Sequence, residues 1–135
     1  MHSFFSLKQF TYFCRSLAYI YWPAFIPISM KHIDTHDLKV KIDKHESFQL
    51  IDTRDAEKFN ECHIEGAINI PQIYLPEMIH LISKEIPVII YCLYGVKSQA
   101  PYLFLTEKLK FKNIYILEGG LFQWANDFDP SMPVL

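Results

Sequence analysis

The run Val88-Ile89-Ile90-Tyr91 does most to limit what this chain can become. It is continuous, bulky and largely β-branched, with no polar residue alternating along it, so as a strand it needs cover on both faces. A central parallel strand with helices on either side meets that need. Weaker apolar runs at 48–51, 67–70 and 114–117 are separated by segments of helical pattern, the spacing of repeated β-α units. The expected fold class is α/β, with a mainly parallel central sheet and helices on both faces.

The connecting segments carry their own signals. Thr35 is expected to cap a short helix reaching Lys41, with Asp37 in the first turn, where the helix dipole favours an anion. Residues 55–60 read as a polar helix of one to two turns. The run 67–70 stops at Pro71, which has no N–H to give to a ladder. Residues 75–82 read as a helix with Pro76 in its first turn. Residues 98–109 read as a broad, apolar, well-buried helix, and the Gly119-Gly120 turn leads into a short helix at 121–125.

With 135 residues, half of them apolar, the chain has material for one core of ordinary size. Its net charge is −2 and it has no block of like charges, which argues against a nucleic-acid partner. Cys14, Cys62 and Cys92 are odd in number and widely spaced, and read as free thiols in a reducing, cytoplasmic compartment. There is no CxxC and no HExxH pattern, so neither a metal nor another cofactor is expected.

Residues 1–30 differ from the rest. Phe4, Phe5, Phe10, Tyr12, Phe13, Tyr19, Tyr21, Trp22 and Phe25 crowd a segment whose only charges are Lys8 and Arg15. Its uncharged stretch is shorter than the roughly 20 residues a spanning helix needs, and Pro23 and Pro27 interrupt it. The segment is read either as an unspecialised extension, with Met30 as the true start, or as an interfacial anchor or targeting segment that touches a membrane. The domain proper is placed at 31–135.

Cys92 follows the strongest strand. In open parallel sheets, ligands bind beyond the carboxyl ends of the strands, where helix amino termini also point. The loop Leu93-Tyr94-Gly95-Val96-Lys97-Ser98 joins that strand to a helix, so its N–H groups can converge on the sulfur while the dipole and Lys97 add positive potential. Gly95 permits the positive φ such a turn needs. These features favour an anionic, nucleophilic sulfur. From position alone, a buried cysteine serving as a small hydrophobe is the stronger reading; flanking motifs decide the matter.

Three motifs stand in order across about a hundred residues. Ile51-Asp52-Thr53-Arg54, Glu57, Phe59 and His63-Ile64-Glu65-Gly66-Ala67-Ile68-Asn69-Ile70-Pro71 form the first, Tyr91 to Ser98 the second, and Leu117-Glu118-Gly119-Gly120-Leu121-Phe122-Gln123-Trp124 with Pro133-Val134 the third. Together they resemble the signatures of a single-domain rhodanese. The resemblance implies a rhodanese-like fold and a thiosulfate sulfurtransferase. In it, Cys92 takes sulfane sulfur from a small donor as a persulfide and passes it to cyanide, a thiol or a sulfur-acceptor protein. It implies that the loop 93–98 binds the persulfide, and that Asp52 and Arg54 support the strand-to-helix turn. His63 reads as a hydrogen-bonded turn residue in a supporting role, and Trp124 as core.

Two departures from the pattern matter. Lys97 stands where arginine is usual, which keeps the charge but gives up bidentate recognition of an oxyanion. Cys62 stands where glycine usually precedes the histidine. Three rival readings are a phosphatase or arsenate reductase, a non-catalytic binding module, and an interfacial carrier docked through residues 1–30. The phosphatase branch has a longer loop with arginine six positions after the cysteine, where this chain has Ser98.

Overall fold

Val88–Tyr91 is the central strand, and every one of its residues is buried. In the computed structural model, which describes residues 29–135, the chain runs β1 (His32–Ile33), α1 (Thr35–Asp43), β2 (Gln49–Asp52), α2 (Ala56–Glu61), β3 (Ile68–Asn69) and a 3-10 helix (Gln72–Leu81). It continues through β4 (Val88–Tyr91), α3 (Gln99–Leu103), which runs into a π turn (Phe104–Lys108), β5 (Ile114–Leu117) and α4 (Gly120–Phe128). Cys14 and almost all of the aromatic segment, through residue 28, lie outside the described residues.

The five strands form one sheet in the order β1-β5-β4-β2-β3, and all of its pairings are parallel. Successive side chains of a strand point to opposite faces, and β4 divides accordingly. Val88 and Ile90 join Ile51, Ile114 and Ile116 against Tyr102, Leu105 and the 3-10 helix. Ile89 and Tyr91 join Leu50 and Leu117 against Leu38, Leu121 and Trp124 of α1 and α4. The expected α/β fold, with a parallel sheet covered on both faces, is what the chain adopts.

Three local expectations are corrected. Asp34, not Thr35, caps α1, its carboxylate accepting from the Asp37 N–H at 2.7 Å. Thr35 is the first helical residue and donates its hydroxyl to Asp127, tying α1 to α4. Pro76 lies in the middle of a helix that begins at Gln72. A proline ring there opposes an α ladder, and the segment takes tighter turns such as Tyr74 N–H to Pro71 O at 2.9 Å. The helix after the Cys92 loop is not uniform either. Thr106 Oγ1 donates to Tyr102 O at 2.8 Å, and the ladder passes to the wider bond from Leu109 N–H to Phe104 O at 3.1 Å.

Ile90→Ala is expected to destabilise the protein by about 2–5 kcal/mol in urea denaturation, because it empties the middle of β4. A loss under about 1 kcal/mol would mean that β4 is not the core strand. The hydroxyl of Thr35, and after it the amide of Gln123, hold Asp127 below the ordinary carboxylate range. A group lowered in this way stabilises the fold at neutral pH, and its contribution fades as acid protonates it. Below about pH 4 the urea midpoint of the wild type is therefore expected to fall more steeply than that of Asp127→Asn. Equal slopes would contradict the α1–α4 tie.

Candidate active site

The carboxyl end of β4 is fixed from two sides. Thr53, just past β2, donates both its N–H (2.9 Å) and its hydroxyl (3.0 Å) to Tyr91 O. From the other side, the first turn of α4 donates Leu121 N–H to Cys92 O and Phe122 N–H to Leu93 O, both at 2.9 Å. This close approach needs Gly120, which has φ +61°: a Cβ there would stand 2.4 Å from Cys92 O and 2.6 Å from Leu93 O. Neither Thr53 nor the two α4 amides stood out in the sequence as site residues. The Gly-Gly pair was the one visible trace of the second contact.

A trans peptide points its N–H opposite to the preceding C=O. Once α4 holds the carbonyls of Cys92 and Leu93, the amides of Leu93 and Tyr94 face away from α4. Gly95, at φ +87°, directs its N–H onto Cys92 Sγ at 3.1 Å. Among the described residues, the N–H groups of Leu93, Tyr94, Val96, Lys97 and Ser98 have no hydrogen-bond acceptor in the protein. The convergence expected from the sequence is thus partial: one amide is on the sulfur and five have no protein partner. Cys92 itself is 3% exposed, under a rim that includes exposed Tyr94 and Val96. Lys97 is exposed and forms no ion pair among the described residues.

Asp52 and Arg54 meet at the carboxyl end of β2. Arg54 makes a fork to Asp52, Nη2 to Oδ2 at 2.7 Å and Nε to Oδ1 at 3.0 Å, and Nη2 also donates to Cys62 O at 2.6 Å. Burial works against the guanidinium charge, but the bonds and charge of Asp52 outweigh it and raise Arg54 above its ordinary value. Burial, and after it the Asp52 charge, push the Tyr91 phenol up, so it stays neutral while its oxygen accepts the Ile64 N–H at 3.1 Å. The pair therefore fixes the β2–α2 turn. His63 is not drawn into the loop: its Nδ1 donates to Phe59 O at 2.7 Å and its ring stacks on Phe59. Cys62 Sγ is directed to Pro133 O at 3.4 Å.

Gly120→Ala is expected to cost more than about 2 kcal/mol of stability in urea denaturation, because the turn has no room for the methyl group and the backbone is left-handed. A Gly120→Ala protein as stable as the wild type would break the contact between α4 and the Cys92 loop.

Comparison with known proteins agrees with this geometry. A family model of the rhodanese-like domain matches residues 34–127. The chain is 33% identical over 96 residues to the thiosulfate sulfurtransferase GlpE of Shewanella oneidensis, covering 71% of this chain and 93% of that protein. It is 35% identical over 77 residues to the GlpE protein of Tolumonas auensis, covering 57% and 72%. Among solved structures, a rhodanese-like domain protein from Staphylococcus aureus superposes with a TM-score of 0.64 at 29% identity, covering 70% of this chain and 91% of that one. With a family model spanning most of the described residues, this chain belongs to the rhodanese-like domain family.

Proposed function

We propose that the chain is a thiosulfate sulfurtransferase that carries sulfane sulfur as a persulfide on Cys92. The observation that carries this reading is the set of loop amides around Cys92: one on the sulfur and five more without a protein acceptor. Preorganised N–H donors of this kind stabilise a negative charge that develops at a fixed place. The Cys92 thiolate attacks the outer sulfur of thiosulfate. A Cys92 S–S bond forms, the S–S bond of thiosulfate breaks, and sulfite leaves with the electron pair. Cyanide or a thiolate then attacks the terminal sulfur, taking it up and releasing the Cys92 thiolate. Lys97, on the exposed side of the loop, draws the donor anion in, and Asp52 and Arg54 keep β2 and Thr53 in place behind Tyr91.

Two features weigh against the phosphatase and binding-module readings. A phosphatase or arsenate reductase needs a cation for the oxyanion six positions after the cysteine, and the chain has a buried serine there. A binding module has no use for amides left free around a retained thiol. Tyr94 and Val96, exposed beside the sulfur, give a sulfur-acceptor protein an apolar surface to meet. Cys62 and Cys92 are both free thiols, which suits a reducing compartment such as the cytoplasm. No helix among the described residues is long and apolar enough to cross a membrane.

Steady-state thiocyanate formation from thiosulfate and cyanide tests the reading. Double-reciprocal plots at several cyanide concentrations are expected to be parallel, the pattern of a ping-pong reaction. Cys92→Ser, with the fold intact by circular dichroism, is expected to lose at least about a thousandfold in rate. A folded Cys92→Ser protein that kept its activity would remove Cys92 from the reaction.

A further inference from the structure

Among the described residues, the lysines divide by how their charge is compensated. Lys39, Lys41 and Lys58, on α1 and α2, pair with Asp43, Glu46 and Glu61 in turn. Lys31, Lys84, Lys108, Lys110 and Lys112 are all exposed, and none of the five forms an ion pair. They lie in the segments that lead into β1, β4 and β5, which are neighbours in the sheet order β1-β5-β4. Because these strands are parallel, the five lysines share the amino end of the sheet, opposite the end that carries Cys92.

Contacts join the three segments into one surface. Lys31 Nζ donates to Lys112 O at 2.8 Å, and Asn113 Nδ2 donates to Ser83 O, beside Lys84, at 2.9 Å. Three of the amines lie over aromatic rings: Lys31 over Tyr115 at 5.6 Å, Lys84 over Phe111 at 5.2 Å and Lys108 over Phe104 at 5.8 Å. A ring under the amine packs the stem and leaves the charge uncancelled. The segments 29–31, 83–87 and 104–113 hold two acids, Glu85 and Glu107, so this face is positive although the chain has a net charge of −2.

The chain itself indicates what such a face meets. Residues 1–28 lead directly to it, since Lys31 stands just before β1, and by sequence they hold nine aromatic residues, no acid and two further positive charges, Lys8 and Arg15. Tyrosine and tryptophan favour the boundary of a bilayer, and lysine favours anionic headgroups. An apolar element alone gives marginal attachment, whereas an apolar element beside a polybasic patch gives a stable one. We propose that the lysine face at the amino ends of β1, β5 and β4 docks on an anionic lipid surface, with residues 1–28 supplying the apolar part of the attachment. In that orientation Cys92, at the other end of the sheet, faces water.

The test is co-sedimentation of the full chain with vesicles of phosphatidylcholine alone and of phosphatidylcholine mixed with phosphatidylglycerol, at low and at high salt. The wild type is expected to bind the anionic vesicles more tightly, and salt is expected to weaken that binding. Replacing Lys108, Lys110 and Lys112 together by Gln is expected to lower the binding constant about a hundredfold, with thiocyanate formation unchanged. Replacing Lys39, Lys41 and Lys44 by Gln removes the same charge from α1 and its end, and is expected to leave binding near the wild-type level.

Equal binding of the wild type to neutral and anionic vesicles, or binding that high salt does not weaken, would overturn the proposal whether or not the variants fold. Equal losses in the two triple variants would overturn it too, because net charge and not this face would then be responsible. Tighter binding to duplex DNA than to anionic vesicles at the same salt would assign the face to another polyanion and contradict the lipid reading.

Discussion

Three consecutive carbonyls, those of Tyr91, Cys92 and Leu93, are held by donors distant in sequence: Thr53 behind β2, and Leu121 and Phe122 at the start of α4. These bonds set the direction of the peptide planes at the carboxyl end of β4, and the direction of the planes sets where the next amides face. The Cys92 loop is in this sense an extension of the sheet. Its shape is imposed by β2 on one side and α4 on the other, and its own residues need only permit it.

At the carboxyl end of β2, charge and burial support the same arrangement. Asp52 ends β2 fully buried, and Arg54 compensates it with a forked pair while reaching the carbonyl of Cys62 at the end of α2. A buried pair of this kind stabilises little in net terms, because desolvation offsets most of the attraction. Its effect is positional: it holds Thr53 where its N–H and hydroxyl can both reach Tyr91 O. Lys97, by contrast, faces solvent and forms no ion pair among the described residues.

Much of this was legible in the chain. β4 and β5 lie where their apolar runs predict, because a strand buried on both faces writes its burial into every residue. The Cys92 loop was legible for the same reason, since it begins where that strand must end. The helix start was misplaced by one residue because Asp34 and Thr35 are both competent caps, and only the tertiary bond from Thr35 to Asp127 decides between them. Pro76 marked a helix without revealing that the helix would be 3-10. The tie from Thr53 to Tyr91 and those from α4 to the loop join residues about 30 to 40 positions apart, and local pattern does not encode such pairs. The lysine face likewise appears only once the segments that carry it share one end of the sheet.

The most direct test of the account is intact-protein mass spectrometry of the reduced wild type and of Cys92→Ser, after brief thiosulfate treatment and again after cyanide. A gain of one sulfur atom in the wild type, removed by cyanide and absent from Cys92→Ser, is the predicted result. A wild type that gains no sulfur, or a Cys92→Ser protein that gains it equally, would contradict the account.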